Sequence, residues 1–533
     1  MPLVVGGLVA VGLTLLPLVY LVIRASEDGW SGVSATLWRS RTVELTLRSL
    51  ELAAIVTVLC LVIGTSMAWL VTRTDLPLRG VVRVVVGMPL ALPSYVAAWS
   101  WIGYDPSLAG RTGAVIVLTT ISYPYVYLPV MAALRRCDPA LEDVARSLGH
   151  GPFAVFRRVT LPQVRIAAVG GGLLVGLYVL SDFGAVATMR YEVLTHVIYR
   201  SYRASFDRTP AAVLGCLLAV LAIAVVAAEG WTRRGRRGAG IAKVGAGAVR
   251  DHTTVHLGWA RWPALALPVA LVAASLGVPI SGMARWFVRG SSRADGGALV
   301  DATLNTLQAG ALGALAVVAI AFPVALLTVR HPGKLSRTAA AAAYAGHALP
   351  GVVVGLSLVF FGIRYAPAIY QRLPLLILGY AVLFLSLGLG AIQVAVAQVP
   401  PVLEDVARSL GRTSWGAWRS VTLRLAAPGM GAAATLVFLT IMKELPATLF
   451  LRPTGYDTLA FAQTGSVSGV VVDATTGEGL FGVNVIIDGT TLGTATDGEG
   501  DTFLTLGSNA LDGIEGPDDE HALEWLNLVQ AGG

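Results

Sequence analysis

The sequence predicts an all-α polytopic membrane protein of two homologous helical bundles, about eleven transmembrane helices in all, with a small β-rich C-terminal tail. Three observations predict it. Of 533 residues, 55% are hydrophobic and 13% charged, whereas soluble domains carry about 25% charged residues. The apolar residues gather in runs of about 20, the length at which a helix crosses a bilayer. The nonapeptide Leu-Glu-Asp-Val-Ala-Arg-Ser-Leu-Gly occurs twice, at 141–149 and 403–411, and neighbouring residues match at the same offset, the mark of a duplicated module.

In chain order the expected spans are 2–23, 48–71, 84–103, 113–133, 167–188, 210–229, 263–282, 304–329, 339–362, 374–395 and 428–449. The first lacks a basic leading stretch and a small-residue cleavage site, so it reads as a retained helix and not a cleaved signal. Residues 1–229 form a first membrane domain, 230–262 a Gly- and Arg-rich linker without apolar period, and 263–460 a second membrane domain. Arg135, Arg136, Arg146, Arg157, Arg158 and Arg165 crowd the first repeated loop, and Arg408, Arg412, Arg419 and Arg424 the second. Cytoplasmic loops collect such residues, which places both loops and the linker inside. The loop at 189–209, with four Arg, runs against that pattern. The halves also correspond at Ala91-Leu92-Pro93 and Ala348-Leu349-Pro350, and in helices ending at Arg73 and Arg330. A proline in a membrane helix kinks it and frees a carbonyl; the same kink in both halves points to two related bundles facing each other across a pathway. The three cysteines, Cys60, Cys137 and Cys216, are scattered without metal-ligand spacing and read as small core residues.

Each repeated loop is a polar island between apolar runs. Pro139 suits a helix start, Glu142 and Asp143 the positive end of that helix, and Gly149 a helix stop. Val144, Ala145 and Leu148 form an apolar stripe, and a second short helix carries Phe153, Phe156 and Val159. Such an element, flat on the cytoplasmic surface, suits insertion into a groove on a partner.

Asp143-Val144-Ala145, then Gly149, then Val159-Thr160-Leu161-Pro162 resembles the EAA loop of binding-protein-dependent ABC importer permeases, E-A-A-x3-G-x9-I-x-L-P. The second copy, Asp405-Val406-Ala407, Gly411 and Val421-Thr422-Leu423, matches until Arg424 replaces the final proline. The resemblance implies MetI-like permease bundles, and two coupling loops, carrying Glu142, Asp143, Ala145, Gly149, Val159, Leu161, Pro162, Glu404, Asp405, Ala407, Gly411, Val421 and Leu423, seated in a cytoplasmic ABC ATPase dimer. The stretches at 87–101, 180–202 and 443–460 resemble fused two-domain iron(III) permeases, with permeases for thiamine, phosphonate, sulfate or polyamine sharing the architecture. The substrate would arrive from a periplasmic or lipoprotein binding protein at the bacterial cytoplasmic (inner) membrane. No Gly-rich phosphate loop is present, so the chain reads as a permease and not an enzyme, with no cofactor of its own and ATP bound by the partner. Nothing points to nucleic acid.

Asp182 and the pair Lys443-Glu444 occupy corresponding positions after the two loops. Ionisable groups at bilayer depth are costly and are functional candidates, so these residues, with Pro93 and Pro350, are expected along a pathway or gate. The other reading places them at the water interface, paired with Arg190 and Arg452. His347 reads as a packed histidine. A secondary transporter would show ionisable relays in several spans and has no use for duplicated docking loops.

The tail differs. Residues 461–533 hold twelve Asp or Glu and no Lys or Arg. Residues 461–506 run in short β-branched stretches between Gly, Asp and Thr turns and resemble a fragment of a carboxypeptidase regulatory-like domain, and 507–533 turn acidic. Two readings stay open: an extracytoplasmic module, or a sequence junction that displaced a twelfth helix.

Overall fold

The computed structural model describes residues 2–137, 139–204, 209–234, 254–289, 296–331, 333–346, 349–462, 464–470, 484–486, 493–495 and 501–507. Most of the linker, His347 and nearly all of the acidic tail therefore lie outside the described residues. Two compact units are formed, Met1–Arg293 with Leu307–Gly455, and Ala294–Thr306 with Tyr456–Gly533.

In the first unit the helices follow the apolar runs. Among the described residues of the chain, nine helices are long and apolar enough to cross a membrane. Arg79–Ala91 with Ser94–Tyr104 makes a tenth if that pair, bent by 96°, is one span. The expectation of eleven continuous spans is corrected at four places. The runs at 84–103 and 339–362 break before Pro93 and Pro350, each of which holds extended backbone (ψ 141° and 144°) ahead of the short apolar helices Ser94–Tyr104 and Gly351–Tyr365. Proline lacks the N–H a continuing helix needs and forces the preceding residue out of helical conformation, so a break replaces the expected kink. The runs at 167–188 and 428–449 stop at Ser181 and Met442, and the chain turns into the short helices Gly184–Thr188 and Pro446–Leu451.

Backbone freed at a break must find partners where water is scarce. At the Pro93 break the Leu92 amide donates to the Pro89 carbonyl (3.1 Å), and two buried tyrosines serve the end of the short helix ahead of it: Tyr123 donates to the Val86 carbonyl (2.6 Å) and Tyr127 to that of Arg83 (2.9 Å). Glycines let the surrounding helices close on these tyrosines. A Cβ at Gly64 would lie 2.9 Å from the Tyr123 carbonyl oxygen, and one at Gly171 2.6 Å from that of Tyr125, the close small-residue approach typical of membrane helices. Val56, Cys60, Met67, Val126, Val130 and Val175 complete this core. The second bundle has its own, with Ala321, Val324, Ala325, Leu385, Leu389 and Ile392.

The bundles exchange their leading helices. Pro2–Ala25 packs on the second half, where the Ser357 hydroxyl donates to the Pro17 carbonyl (2.5 Å) and Tyr20 meets Phe361 and Tyr365 edge-on. In return Val278–Arg289 packs on the first half: the Ser100 hydroxyl reaches the Pro279 carbonyl (3.3 Å), Tyr104 bonds Ser281 (3.0 Å), and Arg285 lies over the Tyr104 ring. Each broken helix is thus braced by the other half's first span.

In the second unit the chain after Ala462 carries short antiparallel pairings, Thr464–Val470 with Asp501–Gly507 and Asn484–Ile486 with Gly493–Ala495. The rest of the stretch read as carboxypeptidase regulatory-like lies outside the described residues.

Candidate functional site

The two repeated loops fold alike. Each begins as a nine-residue helix, Pro139–Ser147 and Pro401–Ser409, and each stops at a glycine with positive φ, +84° at Gly149 and +85° at Gly411. There the amide of the next residue returns to the carbonyl of Ala145 or Ala407 (3.1 Å each). A left-handed backbone is costly for any residue with a Cβ, so glycine belongs at this position. A short helix then widens into a single π turn, Phe156–Thr160 and Trp418–Thr422, at the same point of both copies. The aromatic residue opening that turn meets a ring on the long helix beside it, Trp69 for Phe156 (5.8 Å) and Phe322 for Trp418 (5.5 Å).

A clamp holds each loop to its bundle, buried in the first half and half-buried in the second. Glu142 is only 3% exposed. Its Oε1 lies 3.0 Å from Arg73 Nη2 and accepts from the Thr160 hydroxyl (2.9 Å), and Oε2 faces Arg146 (3.4 Å). Arg73 Nη2 also donates to the Leu134 carbonyl (3.0 Å). The second half repeats the arrangement: Glu404 meets Arg330 (3.1 Å) and the Thr422 hydroxyl (2.6 Å), and Arg330 donates to the Val399 carbonyl (2.7 Å). The π turn carries the threonine in each clamp, and Arg73 and Arg330 are the last residues of the long helices Ser40–Arg73 and Gly296–Arg330. A displacement of either short helix is therefore passed directly to a membrane-crossing helix.

The sequence places Glu142 and Glu404 in the loops but puts the family's acidic position at Asp143 and Asp405. Those two are solvent-facing and, among the described residues, form ion pairs with their own helix, Asp143 with Arg146 (2.9 Å) and Asp405 with Arg408. Arg73, Arg330, Thr160 and Thr422 were visible as repeated residues; their meeting in one clamp was not. The apolar stripe also needs correction. Ala145 and Ala407 are buried, whereas Val144 and Leu148 are 56% and 72% exposed and Val406 and Leu410 47% and 79%. Positions four apart share a helix face, so each loop presents a Val–Leu pair outward. Val159, Leu161, Val421 and Leu423 are half-buried, and Pro162 is exposed at a helix start, where proline is tolerated but not required. Arg424 stands at the same place in the second copy, and the helix Leu423–Met442 begins there equally well.

A second cluster lies where the spans break. Asp182 is 7% exposed. Its Oδ1 accepts from the Ala185 amide (2.8 Å), capping Gly184–Thr188, and Ser94, beside the Pro93 break, and Tyr178 lie near its carboxylate. Glu444 caps Pro446–Leu451 the same way, through the Ala447 amide (3.1 Å), and a Cβ added at Gly351, beside the Pro350 break, would meet its Oε1 at 2.5 Å. Lys443 crosses between the halves, donating to the Leu90 carbonyl (2.9 Å). Asp182, buried, and Glu444, half-buried, thus cap the short helices at corresponding places of the two halves, and Lys443 reaches across between them. Among the described residues no group of three or more His, Cys, Asp or Glu could hold a metal ion.

The family described as "Binding-protein-dependent transport system inner membrane component" matches residues 60–238. The chain is similar to the Fe(3+)-transport system permease protein FbpB 2 of Haemophilus influenzae, 32% identical over 460 residues that make up 85% of this chain and 90% of that protein. It is also similar to the molybdenum transport system permease protein ModB of Mycobacterium tuberculosis, 31% identical over 42% of this chain and 90% of that protein. The sulfate transport system permease protein CysW of Escherichia coli is 26% identical over 35% of this chain and 69% of that protein.

Proposed function

We propose, because the chain belongs to the inner-membrane components of binding-protein-dependent transport systems, that it is the membrane permease of an ABC importer that carries ferric iron and joins two permease halves in one polypeptide. It is a multi-pass protein of the inner membrane. The observation that carries the reading is the pair of docking helices. Each offers an uncovered Val–Leu face flanked by Asp and Arg, and each is tied by an Arg–Glu–Thr clamp to the end of a long helix. Such a surface fits the cleft of a cytoplasmic ATPase dimer, and such a clamp turns closure of that dimer into rocking of the helices. ATP is bound by the partner, and a periplasmic or lipoprotein binding protein delivers the cargo. Asp182, Glu444 and the half-buried Tyr178 place oxygen donors at the breaks, where rocking would open and close the way through. Ferric iron is favoured because the relative named for Fe(3+) aligns over both halves, whereas those named for molybdenum and sulfate align over less than half of the chain.

The test is reconstitution of the chain with its ATPase in liposomes. ATP hydrolysis is expected to rise when a ferric-loaded binding protein is added, with iron entering the lumen. Failure to associate with any ABC ATPase would overturn the permease reading; stimulation by sulfate, molybdate, thiamine, phosphonate or polyamine and not by iron would overturn the substrate.

A further inference from the structure

The connection between the halves returns to the first docking loop before entering the second half. Residues 254–257 run alongside the end of the helix Ser40–Arg73. The Val255 amide donates to the Arg73 carbonyl (2.8 Å), and the Val255 carbonyl accepts from the Asp75 amide (3.3 Å), a one-rung parallel pairing. Asp75 closes the contact: Oδ1 accepts from the Leu257 amide (2.8 Å), and Oδ2 lies 3.3 Å from His256 Nδ1. Val255 also lines the cleft formed with Trp69, Arg73, Glu142, Arg146 and Thr160. The last carbonyls of a helix lack internal partners and are satisfied from outside. Here the outside partner is the linker, and the residue whose carbonyl it holds is the one whose guanidinium grips Glu142. The corresponding carbonyl of Arg330 has no such backbone partner among the described residues.

We propose that 254–257 form a strap which, held through Val255 and by Asp75 at the end of the helix Ser40–Arg73, positions the first docking loop and makes the two loops mechanically unequal: the first has its clamp and the strap, whereas the second has, among the described residues, a clamp without a strap. This deepens the reading of the loops as ATPase docking points and rests on it, but the strap itself acts within the chain. A stiffer first loop would keep its orientation as the halves rock, while the second adjusts on docking. The linker then does more than join two halves; its far end reports the position of the second half to the first loop.

Hydrogen exchange on the full chain in detergent, without any ATPase, tests this. Val255→Pro removes the amide donor and Asp75→Ala the acceptor, whereas Asp75→Asn keeps an oxygen for the Leu257 amide. Loss of one such bond is expected to speed exchange in Pro139–Ser147 about 5- to 10-fold for the first two variants, with Asp75→Asn near wild type. Exchange in Pro401–Ser409 should not move in any of them. An equal rise in both loops, or no rise in the first, overturns the strap. Should Val255→Pro unfold the chain, Asp75→Ala, a truncation of a surface loop side chain, decides alone. None of these outcomes depends on whether an ATPase binds, so a failure of the docking reading would be seen separately.

Discussion

Removing the carboxylate of Glu142 should free the first docking loop far more than removing Glu404 frees the second. The side chains of Arg73 and Glu142 are each 4% exposed, those of Arg330 and Glu404 12% and 24%. Deleting one partner of a buried ion pair leaves an uncompensated charge and costs about 3–5 kcal/mol. Where water reaches a quarter of one partner, screening reduces this to about 1–2 kcal/mol. At about 1.4 kcal/mol per tenfold, Glu142→Ala should raise local opening of Pro139–Ser147 by roughly 100-fold or more, and Glu404→Ala should raise that of Pro401–Ser409 by roughly 5- to 30-fold. Replacing both partners of a buried pair by apolar side chains is often near neutral, so Arg73→Leu with Glu142→Leu should recover most of the loss. Hydrogen exchange of the two loop peptides, with the melting temperature of the solubilised chain as control, measures all of this. If Glu142→Ala opens its loop no more than Glu404→Ala opens the other, or if the double variant is as damaged as the single, the clamp is not the electrostatic lock described.

Three further outcomes are expected. Asp substitutions at Val144 and Leu148, or at Val406 and Leu410, alter exposed side chains and should leave the melting temperature unchanged while abolishing co-purification with the ATPase. Gly171→Ala pushes a methyl group into the Tyr125 carbonyl whereas Gly170 has open space around it; overpacking of this kind costs about 1–3 kcal/mol, so the first variant should lower the melting temperature and Gly170→Ala should not. Lys443→Met removes the cross-half bond to the Leu90 carbonyl, and in liposomes it should raise ATP hydrolysis in the absence of binding protein, with Lys443→Gln closer to wild type because its amide can still donate.

What the sequence by itself determined is whatever local chemistry fixes. Bilayer-length apolar runs dictate helices, Gly149 and Gly411 dictate where the docking helices stop, and a nonapeptide written twice dictates that both ends of the machine are alike. Tertiary structure decided everything that depends on who meets whom. Leu-Glu-Asp reads as two adjacent carboxylates of equal standing, yet a helix turns successive side chains about 100° apart, and only the position of Arg73, 69 residues away, made Glu142 the buried one and left Asp143 to water. Pro93 and Pro350 announce a disturbance in their spans; that Tyr123 and Tyr127 hold carbonyls of the short helix ahead of the first break was decided by packing. The exchange of leading helices, the cross-half reach of Lys443 and the return of Val255 to Arg73 left no trace in periodicity or composition, because each is a contact between segments far apart in the chain, selected by packing and not by local propensity.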